Sequence, residues 1–245
     1  YVGVGTATRG AVLGWNAPRR VLPGGFCNRF SEVGHLTADA ADIASYLDGQ
    51  GQNRLAVSTV PIRTSSGGSG AGTGVWISPP IPAGGLRPAD ADNWTQVWSP
   101  LEYDPDPIVS RFGYAGGAVE YFDGWLYWGT IHLQNSKALG IHETCTQPYC
   151  FGTPANEEEE QALNAGVYRT TSLWRGRNLE DPGAREVQLL YGESELPACC
   201  SAPKTFSMTP TGWTPLYGAS GFGNPGDEYT WQMAVFNGRL YVGTF

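Results

Sequence analysis

Residues Thr230 to Phe245 read TWQMAVFNGRLYVGTF. Asn237-Gly238 divides this stretch into two apolar runs. Both central residues of a two-residue type I′ turn need positive φ, and Asn-Gly is the pair that tolerates it best. The second run, Leu240-Tyr241-Val242-Gly243-Thr244, is aromatic and β-branched, as strands prefer. The stretch therefore predicts a tight antiparallel hairpin. The same unit occurs at Ala118 to Thr130, AVEYFDGWLYWGT, with Asp123-Gly124 at the turn. A weaker copy runs from Ile43 to Thr59, with Asp48-Gly49 and a few inserted residues. Tyr1 to Thr6, YVGVGT, is a fourth trace, equivalent to the second strand of the hairpin.

Further signatures follow each hairpin. A third strand opening with glycine is expected at Gly10-Ala11-Val12-Leu13, Gly74-Val75-Trp76-Ile77 and Gly166-Val167-Tyr168-Arg169. A fourth is expected at Trp94 to Trp98 and Val187 to Tyr191, with Trp213 to Tyr217 a further candidate. Four-stranded antiparallel meanders in series are the blades of a β-propeller. The fold expectation is thus all-β, with about three blades in an incomplete ring. Boundaries fall near 1–42, 43–113, 114–228 and 229–245. The repeats are spaced more widely than the roughly 40 to 50 residues of a compact blade, so the excess is loop. The large additions fall between second and third strands and between one blade and the next. In a propeller those connections share a face, and loops on a rigid scaffold carry function. All five cysteines and all three histidines fall in or beside that face.

Composition bounds the function. With 41% hydrophobic and 12% aromatic residues in 245, there is ample material for a core. A net charge of −8 with only 15 Lys and Arg argues against nucleic acid or an anionic membrane, which require a basic footprint. No apolar run approaches the roughly 18 residues a membrane span needs. No signal peptide is present, and the chain opens inside an apparent strand, so it reads as a mature product or a fragment. Five cysteines suit an oxidising compartment.

Candidate sites follow from residue chemistry. Cys145 and Cys150 enclose a proline turn and fit a disulfide that staples the insertion from Ile131 to Ala165. Cys199 and Cys200 would tie the neighbouring loop, to Cys27 or to each other. The alternative joins His142, Cys145, Cys150 and Cys199 or Cys200 as zinc ligands. Asp90 and Asp92, and Asp104 and Asp106, are spaced as oxygen ligands for calcium. Glu157 to Glu160 reads as a solvated, helical tip. Trp98, Tyr103 and Tyr114 near the loops could offer a stacking surface to carbohydrate or peptide, or serve as core like Trp125 and Trp128. Glu120 and His132 are the first choice for an acid–base pair. No Ser-His-Asp order, phosphate loop or metalloprotease helix occurs.

Read from Gly221, GFGNPGDEYTWQMAVFNGRLYVGTF resembles the repeat of secreted and cell-surface bacterial β-propellers, whose units combine GFG-N, an N-G hairpin, LYVGT and a G-x-x-W-R type strand. The hairpin at Glu120 to Thr130 matches it also. The resemblance implies a propeller and a secreted or cell-surface location; it implies no activity, because propellers host many. The first functional expectation is a non-catalytic binding or assembly module. It would act through its long-loop face on a protein or a cell-surface polymer. Further blades would come from the same chain or another, and this chain would not fold alone as the complete unit. The second expectation is a polysaccharide hydrolase or lyase with carboxylates at the channel mouth, which requires two facing acids.

Overall fold

The computed structural model describes residues 2–5, 10–15, 19–20, 26–27, 30–61, 72–132, 135–145 and 148–245. Strands β1 (Val2–Gly5) and β2 (Gly10–Trp15) are followed by a short pair, β3 (Arg19–Arg20) and β4 (Phe26–Cys27), and by β5 (Phe30–Leu36). β1, β2 and β5 form a three-stranded antiparallel sheet in that order. The second sheet is a meander of β6 (Asp39–Leu47), β7 (Asn53–Val60), β8 (Gly74–Ile77) and β9 (Thr95–Trp98). The third is a meander of β10 (Ala115–Phe122), β11 (Trp125–Ile131), β12 (Leu173–Arg177) and β13 (Glu186–Tyr191). Two hairpins complete the β structure: β14 (Glu195–Ala202) with β15 (Thr205–Pro210), and β16 (Thr230–Phe236) with β17 (Arg239–Thr244).

The hairpin chemistry read from the sequence is realised. Asp123 and Gly124 have φ of 48° and 79°, and Asn237 and Gly238 have 48° and 67°. Both turns thus use the left-handed region twice, which is what a type I′ turn requires.

The all-β expectation holds, in antiparallel meanders. β10 packs against β6 and β7 on one side and against β16 on the other, and β1 packs against β6. The first strands of successive sheets therefore stand side by side. Polar ties bind them: Asp42 Oδ2 accepts from the Val119 amide at 2.9 Å, and Ser58 Oγ donates to the Gly117 carbonyl at 2.5 Å. Gly129 permits a close approach of β16, since a Cβ there would lie 2.2 Å from that of Thr230. The described residues do not close a ring.

A threonine ending the second strand recurs in a fixed role. The Thr59 hydroxyl accepts from the Gly74 amide at 2.9 Å, and the Thr130 hydroxyl accepts from the Ser172 amide at 2.8 Å. Each secures the chain as it enters the third strand. Between the second and third sheets, Trp98, Trp128 and Trp174 are fully buried, with Trp98 ring centroids 5.9 and 5.2 Å from the other two. These rings fill the wedge where twisted sheets diverge.

Two expectations need correction. Gly166-Val167-Tyr168-Arg169 does not form the third strand of the third sheet; that strand is β12. Gly166 and Val167 instead end a helix. The insertion between β11 and β12 carries α2 (Asn135–Thr144) and α3 (Glu157–Val167), after the one-turn α1 (Val109–Phe112) that precedes β10. Asn156 caps α3 by accepting from the Glu159 amide, and Glu157 to Glu160 occupy its first turn, where the helix dipole favours negative charge. Trp213 to Tyr217 forms no meander strand. Leu216 and Tyr217 donate backbone bonds to Leu189 and Leu190 on the edge of β13.

Candidate functional site

The loop segments collect over the third sheet as a cap made of the 99–114 segment, α2, α3 and the β14–β15 hairpin. Its apolar side chains, among them Ile108, Val109, Leu163, Val167 and Leu196, join the sheet core. The polar centre of the cap is a run of three residues, Asp104 to Asp106. Asp104 is buried and forms a two-point ion pair with Arg169: Nε donates to Oδ2 at 2.6 Å and Nη2 to Oδ1 at 3.2 Å. Tyr114 donates its hydroxyl to Oδ2 at 3.0 Å. Arg169 places its remaining N–H groups on the carbonyls of Gly166, Tyr168 and Pro197. Burial opposes the guanidinium charge, but Asp104 overrides it and holds Arg169 above its ordinary value.

Asp106 is fully buried one turn away. Its Oδ1 accepts from the amides of Ile108 and Val109 at 2.9 and 3.0 Å, and lies 3.2 Å from His142 Nε2. Its Oδ2 accepts from the Cys199 amide at 2.8 Å. Burial alone would raise this carboxyl; the His142 bond and the backbone donors outweigh it and hold Asp106 below the usual carboxylate range. Both aspartates are thus engaged by protein donors. Asp90 accepts from the Arg87 amide at 2.8 Å, and Asp92 lies 2.5 Å from His35 Nδ1. Among the described residues no group of three or more His, Cys, Asp and Glu side chains converges as a cation site.

Cys145 lies at disulfide distance from Cys150, and Cys199 from its neighbour Cys200. The side chain of Cys27 lies outside the described residues. Among those described, no helix is long and apolar enough to cross a membrane.

The acid–base pair is not assembled. Glu120 lies opposite Tyr127 in the β10–β11 ladder, whereas His132 follows the end of β11. Five residues of strand, about 16 Å, separate them. Glu120 Oε1 accepts from the Tyr121 amide, and the His132 ring is buried against Tyr114 with centroids 4.4 Å apart. His132 Nε2 meets the Thr130 hydroxyl at 3.1 Å, and Nδ1 has no hydrogen-bond partner among the described residues. Burial, with a contribution from the Arg169 charge, pushes His132 down to about 3.

Trp98 is 2% exposed and closed inside the core, so it offers no stacking face. Tyr103 and Tyr114 line a half-open cavity of about 300 Å³ beside the ion pair, with Tyr168, Glu193, Leu196 and Ser220. Glu193 was not among the residues singled out from the sequence. Burial, reinforced by Asp104 and Glu193, pushes the Tyr103 hydroxyl above its ordinary range and keeps it protonated.

A second surface stands apart from the cap. On the β16–β17 hairpin Met233, Leu240 and Val242 pack on Ala118, Leu173 and Leu190 of the third sheet. The opposite face carries Phe236 and Tyr241, exposed at 64% and 50%, with Trp231 at 68% beside the bulge. Among the described residues no strand pairs with the outer edge of β17. Its Thr244 occupies the place of Thr59 and Thr130 and donates its hydroxyl to Asp227 instead. No family model, curated protein or solved structure matches this chain.

Proposed function

We propose that this chain is a non-catalytic binding and assembly module of the β-propeller type, secreted or displayed at a cell surface. The observation that carries the reading is the apolar face and open edge of the β16–β17 hairpin. Trp231, Phe236 and Tyr241 are each half or more exposed on this hairpin, large apolar surface left in water marks an interaction site, and an unpaired strand edge is a template for further strands. The hairpin repeats the first two strands of the second and third sheets, and two more antiparallel strands would complete the pattern. They would pair with β17 and engage the Thr244 hydroxyl at their opening amide, and a further sheet stacked on the outer face would cover the exposed rings. Those strands come from the same polypeptide or from another. The cap, held by buried ion pairs and stapled by Cys145–Cys150, is the rigid face offered to a protein or cell-surface polymer. The disulfides support an oxidising, extracytoplasmic setting.

Light scattering and binding of an environment-sensitive dye test the reading. The 245-residue chain is expected to self-associate and bind dye. The triple variant Trp231→Ser, Phe236→Asp, Tyr241→Ser is expected to remain monomeric, bind less dye and melt at the same temperature. A dye-silent monomer at high concentration for the unmodified chain overturns the proposal.

A further inference from the structure

We propose that the cavity beside Asp104 and Arg169 is a binding site for a primary ammonium group, with Glu193 as its counter-ion. The inference does not rest on the assembly reading above.

The charges at the cavity do not balance. Arg169 is the only cation among the lining residues, and its five N–H groups are taken by Asp104 and by three carbonyls. That pair is neutral as a unit and has no donor left for an anion. Glu193 therefore leaves the wall with a net negative charge. Its Oε1 accepts from the Ser220 amide at 3.1 Å and from the Ser220 hydroxyl at 2.7 Å. The Thr170 hydroxyl donates in turn to Ser220 at 2.6 Å. The carboxylate is thus held in one orientation from behind, while Oε2 has no partner among the described residues. The Glu193 amide donates to the Tyr103 hydroxyl at 2.7 Å, which fixes the backbone at the same point. A preorganised carboxylate with one oxygen uncommitted, in a half-buried setting, favours a compact charged donor. The rest of the wall suits an alkyl stem. Tyr168 is 40% exposed, its hydroxyl is tied to the Pro225 carbonyl at 2.8 Å and to Glu228 Oε1 at 3.0 Å, and Leu196 shares the lining. At about 30 Å³ per water, a cavity of about 300 Å³ holds roughly ten waters, which is room for a short alkylammonium. A free amine and the lysine side chain of a partner share this chemistry.

The test is nuclear magnetic resonance titration of the whole chain, following the Glu193 and Ser220 amides. The probes are n-butylammonium, n-butanol as its neutral counterpart, and lysine blocked at both backbone ends. Saturable shifts are expected with both ammonium probes and not with butanol. A tighter constant for blocked lysine assigns the site to a protein side chain; a tighter constant for butylammonium assigns it to free amines. Glu193→Gln keeps an oxygen for Ser220 and removes the charge, so it should weaken binding about tenfold or more. Equal binding of butanol and butylammonium, or absence of saturable shifts, overturns the proposal in the unmodified chain whether or not the variant folds. Unchanged affinity in a folded Glu193→Gln overturns it as well.

Discussion

Replacing His132 with phenylalanine should flatten the dependence of stability on pH. The His132 ring is 1% exposed and is held neutral, its pKa pushed from 6.5 down to about 3. In the unfolded chain the imidazole takes up a proton below 6.5; in the folded chain it does so only near 3. Between those values the unfolded state binds more protons, so stability falls as the solution is acidified. The contribution is whole above 6.5 and is lost progressively toward 3. Each pH step below 6.5 costs about 1.4 kcal/mol, so about 2.7 kcal/mol is gone by about pH 4.5. Phenylalanine preserves the packing against Tyr114, and the Thr130 hydroxyl keeps its bond from Ser172. It has no proton to gain. Urea unfolding of both proteins at about pH 7.5 and about pH 4.5 isolates the term, because His35 and His142 are common to both and cancel. The parent should lose about 2 to 3 kcal/mol more than His132→Phe on acidification. Parallel profiles, agreeing within about 0.5 kcal/mol, would refute the reasoning that burial of a neutral imidazole sets this part of the pH response.

Two further substitutions probe the packing. Arg169→Met leaves the Asp104 carboxylate buried without its counter-charge and should cost about 3 to 5 kcal/mol in urea unfolding; a loss below about 1 kcal/mol would mean that water reaches the pair freely. Gly129→Ala sets a methyl 2.2 Å from the Thr230 side chain, so it should lower stability by about 1 to 3 kcal/mol and loosen the β16–β17 hairpin in hydrogen exchange. An unchanged melt would show that the sheets adjust their separation without strain.

The hairpins were legible because their chemistry is local: Asp123-Gly124 and Asn237-Gly238 state their own φ requirement. The glutamate run was legible as a solvated, helical tip; that it forms the first turn of α3, with Asn156 as its cap, is visible only in the fold. Gly166-Val167-Tyr168-Arg169 misled because Gly-Val-aromatic also opens β8, and nothing within four residues distinguishes the end of a helix from the start of a strand. Leu163 and Val167, four apart and both buried, were the available sign. The site was less legible. Asp104 and Asp106 stood out as acids, but Arg169 lies 65 positions from Asp104 and Cys199 lies 93 from Asp106. Only the folded chain joins them. Glu193 belongs to no motif, and its role depends on Ser220 and Thr170 arriving from other loops. Trp98 sits beside a loop in sequence, and its burial depends on Trp128 and Trp174 of the adjoining sheet.

Asp106 receives bonds from its own turn, from α2 through His142 and from β14 through Cys199. A single carboxylate is therefore the junction of three separately inserted segments. None can swing away without stranding a buried charge, so their fluctuations are coupled. The amides of Ile108, Val109 and Cys199 should then exchange with solvent at one common opening free energy, as a single cooperative unit. A proteolytic cut would likewise require the whole cap to lift together, so the cap behaves as one rigid plate rather than as a set of independent loops.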